Sequence, residues 1–270
     1  MIKNSIKIAF VFGLLISSIS CSNEPLEGEF PDSLDPNLPS NPGSPTEPGE
    51  GSTGDYWPMA VGNTWVYNVE SNNSSSENEY SVNSETTIEG LPAYQIDNFI
   101  SDAGVETPDL PVEQDFDQPD NYVIKNEGNY YNLLESFSFE ENGISLSISG
   151  FNYVFLKDYL EEGQSYSSDF DFTYTSSIDI EGFEDFEDIE FTQNFNYEMT
   201  MVERGMILEV NEVEYEDVIH IEIVLTISQE GLEETITDTS EVYLAKDIGP
   251  IRIINESEGS TSDLISYELN

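Results

Sequence analysis

From Tyr56 onward, apolar residues recur with a period of two. Between 189 and 201 the odd positions read Ile189, Phe191, Gln193, Phe195, Tyr197, Met199 and Met201. The even positions read Glu190, Thr192, Asn194, Asn196, Glu198 and Thr200. One buried face and one wet face is the pattern of a strand in an antiparallel sheet. Ile219, Ile221, Ile223, Leu225 and Ile227 repeat it, and shorter runs fall at 64–69, 94–100, 122–125, 144–148 and 251–254. Turn signals separate them: Glu89-Gly90, Asn126-Glu127-Gly128-Asn129, Glu141-Asn142-Gly143 and Asn211-Glu212. Only 153–162 has room for a helical turn or two. The expected fold is all-β, with long twisted antiparallel strands forming an open half-barrel or two packed sheets and at most a short helix.

The strand pattern also echoes itself. Met59-x-x-Gly62-x-x-Trp65 returns as Leu160-x-x-Gly163-x-x-Tyr166. Ile88-Glu89-Gly90-Leu91-Pro92-Ala93-Tyr94 returns, one residue shorter, as Val210-Asn211-Glu212-Val213-Glu214-Tyr215. Tyr122-Val123-Ile124-Lys125-Asn126-Glu127-Gly128 returns as Tyr243-Leu244-Ala245-Lys246-Asp247-Ile248-Gly249. The three echoes are collinear, which predicts two related β halves, 56–150 and 151–270. The second half is longer, and the acidic stretch 169–190 reads as its insertion. Gly128 and Gly249 are expected at positive φ, and Trp65 and Tyr166 at strand starts that cap a core. Lys125 and Lys246 take equivalent places and are read as neutralising carboxylates at a turn.

The N-terminus has a different composition. Lys3 and Lys7 precede the apolar run 8–16, and Ser18-Ile19-Ser20-Cys21 closes it with small residues before the sole cysteine. Such a segment is a secretory signal, too short for a stable membrane span. It resembles a bacterial lipoprotein signal with its lipobox, although Ser18 stands where such boxes usually carry Leu. The resemblance implies signal residues 1–20, cleavage before Cys21, and lipidation of Cys21. Residues 21–55 form a tether: seven of the thirteen prolines lie there, with Gly, Ser and acids, a composition that favours extended chain. Glu24, Glu27 and Glu29 resemble signals that send some lipoproteins to the cell exterior.

Trp57-Pro58-Met59-Ala60-Val61-Gly62-Asn63-Thr64-Trp65-Val66-Tyr67 resembles the opening strand of small uncharacterised bacterial lipoproteins. The run from Tyr243 to Ile251 resembles their closing hairpin, with Asp247 in place of a usual Gly. A looser likeness in strand length is to lipoprotein carriers of the LolA/LolB type. These resemblances imply an outer-membrane, lipid-anchored location facing the periplasm or the cell exterior, and no catalytic residue comes with them.

Composition narrows the chemistry. The 270 residues hold 7 Lys or Arg against 55 Asp or Glu, a formal charge of −48. Beyond residue 20 the balance is 5 − 55 = −50, which excludes a nucleic-acid surface and argues against attraction to anionic lipid. The 15 Tyr and 15 Phe are enough to build a core, so the chain is not an acidic disordered tail. Lacking a second cysteine, it has no disulfide framework. His220 is the only histidine and lies opposite the isoleucine stripe, two residues from Glu222. It is read as a half-exposed strand histidine hydrogen-bonded to a neighbour, and one His cannot build a zinc site.

Carboxylate chemistry remains open. Glycoside hydrolysis needs only two acids, and Trp57 and Trp65 are candidate faces for stacking a sugar. Calcium takes oxygen ligands, and two acidic clusters offer them. Asp109, Glu113, Asp115, Asp117 and Asp120 form one, and Asp115-x-Asp117-x-x-Asp120 resembles part of a calcium loop without its Gly and distal Glu. Asp179, Glu181, Glu184, Asp185, Glu187, Asp188 and Glu190 around Gly182 form the other. The expected function is a non-catalytic binding or structural module, with carbohydrate, an apolar ligand or a protein as alternative partners. If either cluster holds calcium, added calcium raises the melting temperature more than sodium at matched ionic strength. Equal shifts would exclude a specific site.

Overall fold

The computed structural model describes residues 48–52, 54–71, 74–96, 121–141, 144–178, 189–229 and 235–270. These form strands β1 (Thr64–Ser71), β2 (Ser74–Ile88), β3 (Leu91–Ile96), β4 (Asn121–Asn126) and β5 (Asn129–Leu134). Next come β6 (Phe137–Glu141), β7 (Ile144–Ile148), β8 (Phe151–Lys157) and β9 (Ser165–Ile178). The last are β10 (Ile189–Val210), β11 (Val213–Gln229), β12 (Thr235–Ala245), β13 (Gly249–Asn255) and β14 (Ser260–Glu268). No helix occurs among the described residues: 153–157 belong to β8 and 158–163 are turn. The apolar run of β8 is hydrophobic on both faces, which hides a strand's alternation.

All fourteen strands join one open antiparallel sheet, in the order β6-β7-β9-β10-β11-β12-β13-β14-β1-β2-β3-β4-β5-β8. Two six-stranded meanders, β1 to β5 with β8 and β9 to β14, account for twelve of the strands, and the β6–β7 hairpin extends the sheet beyond β9. The boundary expected at 150/151 is therefore misplaced, because β8 pairs with β5 of the first meander. Of the stretch 169–190, expected as an insertion, residues 179–188 lie outside the described residues and the rest is strand. Asp169 to Ile178 lie in β9 and Ile189 begins β10, paired at Ile189↔Ser176. Phe170, Phe172 and Tyr174 point into the core, while Asn196 and Asn194 donate to Asp169 and Asp171 on the wet face. The dense acids masked a good alternating pattern. From β1 to the end of β2 the chain spans 25 residues (64–88), and from β9 to the end of β10 it spans 46 (165–210). The second meander's excess is thus a longer hairpin.

The echoes occupy corresponding places. Gly62 N donates to Val82 O (2.8 Å) and Val82 N to Asn63 O (2.9 Å); Gly163 N donates to Met201 O (2.7 Å) and Met201 N to Gln164 O (3.0 Å). In both meanders a register shift follows at once, after Val82 in β2 and after Met201 in β10. The turns Glu89-Gly90 (φ 51°, 86°) and Asn211-Glu212 (φ 51°, 65°) have both central residues at positive φ, the hairpin geometry that follows strand twist. Gly128 (φ 91°) and Gly249 (φ 114°) adopt the backbone that L side chains avoid.

The chain enters β6 from β5 and leaves β7 for β8 through two short breaks, at Glu135-Ser136 and Ser149-Gly150. Above the breaks, β7 pairs with β9. Below them, β8 leans on β9 and β10 through side chains, with Tyr197 Oη donating to Phe155 O (2.5 Å). Ser149 N donates to Thr173 O (2.9 Å), and Thr173 N donates to Ser149 Oγ (2.8 Å). A Cβ on Gly150 would lie 2.5 Å from Leu134 O and 2.8 Å from Ser136 N, so this crossing needs a glycine. Gly150→Ala should destabilise the fold by about 1–3 kcal/mol through forced backbone movement, read as a lower urea midpoint. An unchanged midpoint would show that the crossing has slack.

Candidate functional site

Residues 48–57 do not hang free as a tether. They lie as a strap across the β4–β5, β8–β9 and β12–β13 turns. Gly49 N donates to Asn126 O (3.1 Å), and a Cβ on Gly49 would overlap Glu127 O. Gly54 rests on the aliphatic chain of Lys246, at 2.5–2.9 Å for an added Cβ. Asp247 N donates to Asp55 O (2.5 Å), and the Asp55 carboxylate pairs with Lys125 Nζ at 2.5 Å. The strap thus engages the two echoed lysines, Lys125 by charge and Lys246 by packing. Proline-rich composition announced an extended chain, but Gly49 and Gly54 permit close approach and Ser52 and Asp55 supply partners, so the end of the segment docks.

Beneath the strap lies Asp158, fully buried. Its Oδ2 accepts from Ser52 Oγ (2.7 Å) and Tyr130 Oη (3.2 Å), and its Oδ1 has no hydrogen-bond partner among the described residues. Arg204 Nη1 donates to the carbonyls of Asp158 (2.6 Å) and Leu160 (2.8 Å), and its guanidinium lies 6.0 Å from the Tyr56 ring centre. Lys125 Nζ stands 5.2 Å over the Tyr130 ring. Burial raises the Asp158 carboxyl above its ordinary range, against the opposing pull of Ser52, Tyr130, Lys125 and Arg204. Burial and the adjacent Asp158 also push the Tyr130 hydroxyl far up, so it stays a donor.

Trp57 and Trp65, expected as sugar-stacking faces, are core: Trp57 is 2% and Trp65 0% exposed. They meet edge to face at 6.3 Å, Trp57 meets Phe155 at 5.7 Å, and Trp65 Nε1 donates to Ile248 O (2.7 Å). A Cβ on Gly249 would lie 3.0 Å from Trp65 Nε1 and 3.3 Å from Trp57 Cδ1, so that glycine also makes room for the pair. Trp65 stands near the start of β1 and in the core, where it was expected; the sugar-stacking role does not fit either tryptophan, since neither ring offers a face to solvent. The calcium candidates Asp115, Asp117, Asp120, Asp179, Glu181, Asp185 and Asp188 all lie outside the described residues. Within the described residues no three His, Cys, Asp or Glu side chains gather as a metal site. Cys21 also lies outside them.

His220 belongs to a lateral row that only register could reveal. Glu203, His220, Tyr243, Arg252, Asp263, Asn68 and Glu77 sit opposite one another across seven strands, β10 through β2. The His220 and Tyr243 rings stack at 4.2 Å. Tyr243 Oη donates to Glu241 (2.8 Å), and His220 Nε2 lies 3.5 Å from the same carboxylate as an ion-pair contact. Burial first, then the Glu241 bond, pushes the Tyr243 hydroxyl up to about 12. Arg252 forks onto both Asp263 oxygens at 2.5 and 2.7 Å. The expected neighbour Glu222 faces Glu241 one row away, so the partner of His220 is the cross-strand Glu241 instead. Among the described residues His220 Nε2 is buried and has no hydrogen-bond partner, so the expected hydrogen bond to a neighbour is not formed.

No protein-family model and no curated protein matches the chain. Two solved structures do. One, from Bacteroides fragilis NCTC 9343, is of a protein taken to be exported, with a YmcC-like fold; it is 11% identical, spans 79% of this chain and 98% of its own, and has a TM-score of 0.36. The other, from Parabacteroides distasonis ATCC 8503, is of a protein taken to be a lipoprotein; it is 11% identical, with the same coverage and a TM-score of 0.30.

A carboxyl whose folded pKa is raised contributes stability that is full below its unfolded pKa and is lost as pH rises through the folded value. Asp158→Asn mimics the protonated form. Its melting temperature relative to wild type should therefore climb as pH rises from 4 to about 7. A difference that stays flat with pH would mean that the buried carboxyl is not perturbed.

Proposed function

We propose that the protein is a lipid-anchored, extracytoplasmic binding or structural module of the outer membrane, held by Cys21 and non-catalytic. The supporting observation is the strap, together with what lies at each end of the sheet. The strap, the C-terminus and the two-residue turns at 89–90, 127–128 and 211–212 share one end. The two longest connections between strands lie at the opposite end: 24 residues between β3 and β4 and 10 between β9 and β10. Long connections on a rigid sheet are where binding residues concentrate, and both acidic clusters belong to the two longest. The domain then stands with its strap end toward the bilayer and its loop end toward a partner.

A carboxylate-pair hydrolase gains no support from Asp158, the one fully buried carboxylate among the described residues, because the strap covers it. We also propose that the two meanders descend from one duplicated unit, on the strength of their matched strand order, paired loop bonds and matched register shifts. In cells, wild type should fractionate with membranes and Cys21→Ala should be released in soluble form. Retention of Cys21→Ala on membranes would refute the lipid anchor.

A further inference from the structure

Seven large apolar side chains stand exposed among the described residues, and six of them occupy the strap end. These are Val61 in the loop before β1, Val202 and Ile207 in lower β10, Val213 at the start of β11, and Ile265 and Tyr267 in β14. Ile236, the seventh, lies at the loop end. Register alone would not bring the elements of this group together, and specific bonds do so. Asn211 Nδ2 donates to Leu264 O (2.9 Å), which holds the β10–β11 turn against β14. Asn270 N donates to Asn63 Oδ1 (2.9 Å), which holds the C-terminus against the loop carrying Val61. The bends in β10 and β11 that bring the hairpin there are built, with Gly205 at φ 63° and Asp217 at φ 53° beside successive register shifts.

We propose that this end is a membrane-docking surface, its occupant the headgroup boundary of the bilayer that holds Cys21. The inference rests on the lipid-anchor reading above. The described chain begins at this same end, and Pro48 stands 48 − 21 = 27 positions after Cys21. Even at the extended limit of about 3.1 Å per residue, a chain of that length keeps the strap end within about 85 Å of the surface. Tethering at that range gives an effective concentration of about a millimolar, so an individually weak contact becomes populated. Tyrosine with branched aliphatic residues suits the interface between headgroups and acyl chains. Charge selects the lipid. Glu209, Glu212, Glu214 and Glu268 stand exposed among the apolar side chains, so the surface suits zwitterionic headgroups and is repelled by anionic ones.

The test uses the full lipidated chain, extracted from membranes and reconstituted into phosphatidylcholine vesicles with brominated acyl chains. Trp57 and Trp65 are buried and supply a protected background. Three further proteins are compared with wild type: Tyr267→Trp, Ile265→Trp as a second probe should the first fold poorly, and Ile236→Trp at the loop end. The proposal expects the emission added by either strap-end variant to be mostly lost to bromolipid quenching, and that added by Ile236→Trp to survive. If the protein floats with the vesicles and the strap-end probes are not quenched, docking is overturned while the anchor stands. Equal quenching at both ends overturns it as well, because the domain then lacks orientation. If the emission blue-shifts with protein concentration and escapes bromolipid, a second copy covers the patch and the membrane does not. Failure to float refutes the anchor, and docking falls with it.

Discussion

A sheet that does not close by hydrogen bonds must close by packing, and this fold depends on how it does so. Between β8 and the pair β9–β10 there is no ladder below the Ser149–Thr173 stitch. Aromatic rings take its place. Phe170 stacks on Tyr153 at 4.5 Å and on Phe195 at 4.9 Å, Phe151 lies 4.8 Å from Phe170, and Tyr197 meets Tyr153 at 5.1 Å. Each such ring contributes about 1.5–3 kcal/mol on burial, and offset contacts add about 0.5–1.5 kcal/mol per pair. The Tyr197–Phe155 bond gives this packing a fixed register. The strap sits at the foot of the same seam, because Trp57 packs on Phe155 and Asp158 follows β8 by one residue. Strap and seam therefore share their supports.

The charge imbalance becomes intelligible in the same place. Five cations follow residue 20, and four of them, Lys125, Lys157, Arg204 and Lys246, cluster where the strap meets the turns. Lys157 Nζ stands 3.7 Å over the Tyr166 ring, and Arg204 takes two carbonyls. Lys125 pairs with the Asp55 carboxylate. The others use aromatic faces, carbonyls and aliphatic contact. Neutralising a charge of about −50 is beyond five cations; their effect is local, holding the crossing of three turns and one strap. The fifth, Arg252, does the same for the outer row through Asp263.

How much of this was legible follows from what each feature depends on. Alternation is a local property of a half-buried strand, so β10 and β11 were readable residue by residue and β7 matched its run of 144–148. Turn positions were readable because positive φ restricts residue choice, as at Gly90 and Gly128. β8 was misread because burial on both faces removes the alternation. The upper part of β9 was misread because acids on its wet face looked like an insertion. The strap, the buried Asp158 and the His220 row were illegible for another reason. Ser52 reaches Asp158 across 106 positions and Trp65 reaches Ile248 across 183, and no local pattern encodes such a meeting.

The two meanders carry the same order and corresponding loop bonds, yet they differ in strand length and in the β6–β7 hairpin that precedes β8, and the added length of β9 and β10 sits at one end. Lengthening β9 and β10 adds pairs at the end remote from the strap, while Gly62 and Gly163 keep identical bonding at the near end. A sheet tolerates growth where its turns are free and resists it where turns are pinned. Here the pinned end has Gly49, Gly54, Gly128 and Gly249 in contacts that a Cβ would crowd. At Gly90 and Gly163 an added Cβ would meet nothing within 4 Å, so at those positions only the positive φ restricts the residue. Constraint is therefore concentrated at the crossing of strap and turns.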